Sequence, residues 1–129
     1  MRSVFIASMA IHALIHVIGF VKAFGFAAIT QLTRPISAAV GLLWLGAALL
    51  IVAALIALVV WPKWWWALAS VALVVSQVAI ATSWADAKLG TLPNPILLLG
   101  VTYGFLTRGP TSSSPMIARA SADGKNVSD

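Results

Sequence analysis

His12 and His16 stand four residues apart inside the apolar stretch Met9 to Phe24, which also carries Lys22. The run is long enough to cross a bilayer, and ionisable side chains at that depth are expensive unless they serve a ligand, a proton or helix packing. On a helix, positions i and i+4 share a face, so both imidazoles point the same way. A buried neutral imidazole offers one donor and one acceptor. Such a pair suits three kinds of chemistry: holding the polar head of a lipid, quinone or terpenoid, relaying protons, or working as an acid/base. The structural alternative is that the two rings only satisfy polar groups across helices. Two histidines on one face cannot grip both sides of one haem. As zinc ligands they would need Asp86 as a third partner, and the usual zinc-protease spacing is absent, so the sequence predicts no metal site. Asp86 is the only acid near an apolar run, which excludes a paired-carboxylate mechanism.

Four apolar segments must position these groups. The first span covers about residues 3–24, and Ser8, His12, His16, Gly19 and Ala23 follow helical spacing on one small, polar face. Its apolar run is too long for a signal-peptide core, so it reads as a retained helix. Pro35 suits the opening of the second span, about 36–61. The third, about 64–85, places Ser70, Gln77, Ala81, Trp84 and Lys88 on one face, a second inward stripe. Asn94 followed by Pro95 predicts an N-cap and first turn for the fourth span, about 92–107. Gly100 and Gly104 have the spacing that lets another backbone approach, within the chain or across a dimer. The sequence W-P-K-W-W-W, residues 61–66, predicts a tight turn whose tryptophans sit at headgroup level. Asp86 has a plainer reading as a salt bridge or loop cap with Lys88 or the backbone.

Composition agrees with this organisation. Of 129 residues 61% are hydrophobic and 9% charged, with no cysteine and no glutamate. Globular domains run roughly 45–50% apolar and about 25% charged. The net charge of +5 comes from basic residues scattered singly between apolar runs, which argues against nucleic acid as a partner. The absence of cysteine excludes disulfides and thiol redox chemistry. Arg2, Lys63, Arg108, Arg119 and Lys125 fall on one side of four spans, and Lys22, Arg34 and Lys88 on the other. The positive-inside rule then puts both termini in the cytoplasm. Lys22, Gln31, Arg34, Asp86, Lys88 and Asn94 gather at the outer surface, with His16 about 9 Å below Lys22 at ~1.5 Å per helical residue.

Four strings carry a resemblance: H-V-I-G-F-V-K-A-F-G (16–25), L-T-R-P-I-S (32–37), G-L-L-W-L (41–45) and S-Q-V-A-I-A-T-S-W-A-D-A-K-L-G-T-L-P-N (76–94). Over about residues 11–109 the chain resembles a family of uncharacterised bacterial four-helix membrane proteins, broadly similar to DoxX-like proteins in size and topology. The resemblance implies an integral membrane bundle and no known activity. Its strings contain His16, Lys22, Arg34, Gln77, Trp84, Asp86, Lys88 and Asn94; His12 lies outside them.

The sequence therefore predicts an all-α, multi-pass bundle in a bacterial cytoplasmic membrane, formed by residues 1–108, with a disordered tail at 109–129. Asn126 heads a glycosylation sequon in that tail, read as accidental. The expected function is binding of a polar-headed apolar ligand, a lipid or quinone among the candidates, in the outer half of the bundle. His16 and Gln77 would contact the head group, with Lys22 or Lys88 at the mouth and His12, Arg34, Trp84, Asp86 and Asn94 nearby. Two alternatives are a membrane enzyme or proton-coupled redox subunit using His16 as acid/base, and an assembly subunit packing through Gly100 and Gly104. The expected partners are membrane lipid and, for the assembly reading, a second copy or a larger membrane complex.

Overall fold

The computed structural model describes residues 2–30 and 32–110. Among them every regular element is a helix and there is no strand. Its helices are α1 (Arg2–Ala23), α2 (Ala38–Val60), α3 (Trp65–Thr82), α4 (Trp84–Ala87) and α5 (Pro93–Arg108), with a 3-10 turn at Lys88–Thr91 between the last two. The tail from residue 111, its sequon and Gln31 lie outside the described residues.

Three helices, α1, α2 and α3, are long and apolar enough to cross a membrane. α5 passes the same test of length and apolarity only together with the segment Trp84–Thr91 before it, from which it is bent by 44°. The fourth span, expected at about 92–107, is the 16-residue helix α5, and the bend lies just before it, between Thr91 and Pro93. Thr82 Oγ1 bonds back to the carbonyl of Ala79 at 2.7 Å, and the Ser83 N–H reaches Ile80 in a tightened last turn. These bonds accompany the end of α3, where the last turn tightens; back-bonding of the same kind by Ser70 leaves the middle of α3 intact. The third span thus stops at Thr82 and not at about residue 85. The second begins at Ala38, not directly after Pro35, because Ser37 is the N-cap and its hydroxyl accepts from the Val40 N–H. Gly25, at φ +67°, follows the end of α1 and turns the chain where a side chain would be strained.

The helices form a ring in which α1 touches α2 and α5, and α3 touches α2 and α5. Small residues make the seams. Ala47, Ala48, Ala54 and Ala57 of α2 are buried, as are Ala69, Ala72 and Ala79 of α3. Large apolar residues point outward instead, among them Ile11, Leu14, Leu42, Leu49, Val74 and Leu99. Small residues inside let helix backbones approach closely, which is how helices gain contact where the surroundings are already apolar.

At one end, the turn after α2 separates the tryptophans. Trp61 and Trp64 are exposed, but Trp65 is buried and belongs to the core. It meets Phe5 edge to face, ring centroids 5.9 Å apart. A Cβ on Gly100 would fall 2.5 Å from the Phe5 ring, and one on Gly104 would fall 2.7 Å from Trp65. The two glycines therefore seat α5 against Phe5 and Trp65 of the same chain.

Candidate functional site

Midway along the bundle, α1, α3 and α5 each contribute to one buried hydrogen-bond network. Asn94 Nδ2 donates to Gln77 Oε1 at 2.8 Å, which turns the amide so that its Oδ1 accepts from the Ser76 hydroxyl at 3.0 Å. With its only proton committed to Asn94, Ser76 Oγ has lone pairs to offer. His16 Nε2 lies 2.8 Å from it and His12 Nε2 lies 3.0 Å from it. Both rings are accordingly assigned as Nε2–H tautomers, each donating to the same oxygen. Their Nε2 atoms stand 3.2 Å apart because they share that acceptor. His12, His16, Ser76 and Asn94 are all buried, with His16 and Ser76 fully enclosed.

The sequence places His12 and His16 on one face, and the structure has them there. It also brings Gln77 and Asn94 to them, but Asn94 is not an N-cap. Helix α5 starts one residue earlier, at Pro93, so Asn94 sits in the first turn and sends its side chain inward. Ser76 is the residue that sequence reasoning missed. The face drawn through Ser70 and Gln77 is rotated by one position. Ser70 instead bonds back to the Trp66 carbonyl, while Trp65, Ala69, Ala72, Ser76 and Ala79 form the buried stripe. That run of small residues at helical spacing was the available signal.

A second polar group lies at the end of the bundle formed by the connection before α2 and the bend around α4. Asp86 Oδ1 accepts from the Thr33 hydroxyl and Oδ2 from the Arg34 N–H, both at 2.8 Å. The carboxylate is thus a clamp on the loop before α2: of the two partners expected for it, Lys88 or the backbone, it takes the backbone, at Arg34, together with the Thr33 hydroxyl. The Arg34 guanidinium makes no hydrogen bond or ion pair among the described residues. Beside the clamp lies a cavity of about 360 Å³ bordered by Leu32, Arg34, Ile36, Ser83, Trp84 and Asp86. Neither His16 nor Gln77 borders it. Lys22 is half-buried and Lys88 exposed, and neither bonds to the network or to the clamp.

The clamp carries a pH dependence. The Arg34 N–H, followed by the Thr33 hydroxyl, holds the Asp86 carboxyl below the ordinary carboxylate range. Because the native value is depressed, the contribution is whole above the ordinary pKa of about 3.9 and is lost as pH falls below it through the native value. Amide exchange at Arg34 is expected to stay slow relative to the intrinsic rate near neutrality and to lose that protection at the acid end. Protection unchanged down to about pH 2 would remove Asp86 from this role.

Among the described residues, no three His, Cys, Asp or Glu side chains converge. No protein family, curated protein or solved structure matches the chain. The functional reading therefore stands on the geometry.

Proposed function

We propose that this chain is a multi-pass protein of a bacterial cytoplasmic membrane that binds a polar-headed apolar ligand, a lipid, quinone or terpenoid. Its α5 makes the fourth crossing, the segment Trp84–Thr91 before the bend lies at the outer surface with Asp86 and Lys88, and both termini lie inside. The likeness to DoxX-like proteins belongs to this proposal and brings no activity with it. Large apolar side chains outside and alanine, glycine and hydrogen-bonded polar groups inside support the membrane reading.

The observation that carries the binding reading is the cavity bordered by Arg34, Trp84 and Asp86. It combines a guanidinium that makes no hydrogen bond among the described residues but lies near enough to Asp86 to favour its charged form, an exposed indole and apolar walls, a mixture suited to a head group with a chain attached. Relative to the sequence expectation, the head group moves from His16 and Gln77 to this end cavity. The buried network then acts below it, fixing the floor on which α3 and α5 meet.

The test is native mass spectrometry of the protein extracted in mild detergent, with Arg34→Gln beside it. The substitution keeps the backbone N–H that Asp86 holds and removes only the guanidinium. Charge-assisted hydrogen bonds contribute about 1.5–3 kcal/mol, so retention of the bound mass is expected to fall about tenfold or more. Equal retention in both proteins, or no bound mass in either, would refute the assignment.

A further inference from the structure

At the end of the bundle opposite Asp86, the turn between α2 and α3 meets the last turn of α5. The Arg108 guanidinium donates to the Pro62 carbonyl, which fixes a cation of α5 beside the residue that precedes Lys63. The Lys63 ammonium lies over the Trp64 ring, 5.9 Å from its centroid, so a second cation is held on the same turn. Two basic residues far apart in the chain thus share one small surface, and both are exposed.

Nothing of opposite sign balances them among the described residues. Asp86 is the only acid there, and it is bound to Thr33 and Arg34 at the other end of α2 and α3. Like charges gathered without a counter-charge raise the local potential and draw an anion. Pro62 takes a hydrogen bond from one guanidinium nitrogen, and the fork keeps further N–H donors for an oxyanion. The surroundings say which anion. Trp61 and Trp64 are exposed, and so is Leu106, two residues before Arg108. A free phosphate gains nothing from those surfaces, whereas a phosphate esterified to a diacylglycerol brings apolar chains to cover them.

We propose that the α2–α3 turn and the end of α5 form a binding site for an anionic phospholipid. Its phosphate lies between Lys63 and Arg108, and its chains lie against Trp61, Trp64 and Leu106. The site is at the opposite end from the Arg34 cavity and shares with it only the reading of the bundle as membrane-embedded.

Dioleoyl phosphatidylglycerol and dioleoyl phosphatidylcholine have the same chains and phosphate and differ in net charge. Each is added to the full chain in a neutral detergent, and bound lipid is counted by native mass spectrometry. At low salt, phosphatidylglycerol is expected to be retained about tenfold or more over phosphatidylcholine, with the preference fading as ionic strength rises. Lys63→Gln and Arg108→Gln are each expected to reduce the preference about fivefold, the effect of one basic side chain at an anionic surface. Lys63 is exposed and makes no hydrogen bond among the described residues, so its replacement tests the site without disturbing the fold. Lys63→Arg should keep the preference. Lys88→Gln removes the same charge from the other end and is expected to change nothing, as is Arg34→Gln. Equal retention of the two lipids, or a preference that survives the loss of both Lys63 and Arg108, would overturn the proposal. So would an equal fall in Lys88→Gln, which would assign the effect to net charge, or a fall in Arg34→Gln alone, which would assign it to the end cavity. Displacement of the lipid by an equal concentration of glycerol phosphate would overturn it as well, since the site would then be one for free phosphate esters.

Discussion

Replacing Ser76 by alanine is expected to destabilise the bundle by about 2–4 kcal/mol, although it deletes a single oxygen. That oxygen accepts from His12 and His16 and donates to Asn94, so its loss leaves two N–H groups and a carbonyl without partners in a closed interior. Each such group costs about 1–3 kcal/mol in a protein core, but helices separated in lipid find other partners, which lowers the sum. Ser83→Ala is the control, since Ser83 makes no side-chain bond in the network. Unfolding in detergent, followed by circular dichroism, measures both. Equal stability of the two variants would mean that the network does not hold α1, α3 and α5 together.

Gly19→Ala is expected to cost about 3 kcal/mol or more, at the upper end for overpacking a core. The new Cβ would lie 2.1 Å from Trp44 Cδ2 and Cε3, and it would meet the body of a fused ring and not a flexible tip. Trp44 is itself buried, so the ring has no free side toward which to move. The consequence reaches the network, because Trp44 also faces His16. Gly46→Ala is the matched control. Nothing lies within 4 Å of a Cβ there, and alanine is the better helix former by about 1 kcal/mol. The two variants should differ sharply in thermal midpoint, and Trp44→Leu in the Gly19→Ala background should recover part of the loss. Tolerance of Gly19→Ala equal to that of Gly46→Ala would refute the close α1–α2 contact.

Much of this arrangement was legible in the chain because one helical period governs both polarity and residue size. The stripe through His12, His16 and Gly19 is a direct consequence of i, i+4 spacing, and all three are buried. What the spacing could not supply was the partner across the seam. Ser76 and Gln77 are adjacent, and polarity alone favoured the larger amide; only the small-residue stripe of α3 distinguishes them. The break at Ser83 falls within a stretch whose hydropathy gives no sign of it, and in the structure it coincides with a tightened last turn in which Thr82 bonds back to Ala79. Likewise Asp86 had a basic neighbour, Lys88, in sequence, yet its partners come from the loop before α2, more than fifty residues away in the chain. Trp65 illustrates the same limit from the other side. Three adjacent tryptophans suggest one interfacial belt, but the helical turn starting there points one of them inward onto Phe5.

The claim on which the rest depends is that this bundle crosses a membrane four times with the Arg34 cavity on the outer side. The chain contains no cysteine, so single cysteines report without background. Placed at Phe26, Lys63, Lys88 and Thr107, all exposed, they sample both ends of the bundle. A membrane-impermeant maleimide applied to intact cells is predicted to label Phe26→Cys and Lys88→Cys, and to reach Lys63→Cys and Thr107→Cys only after permeabilisation. Labelling of all four in intact cells, or of Lys88→Cys and Thr107→Cys from the same side, would contradict the account.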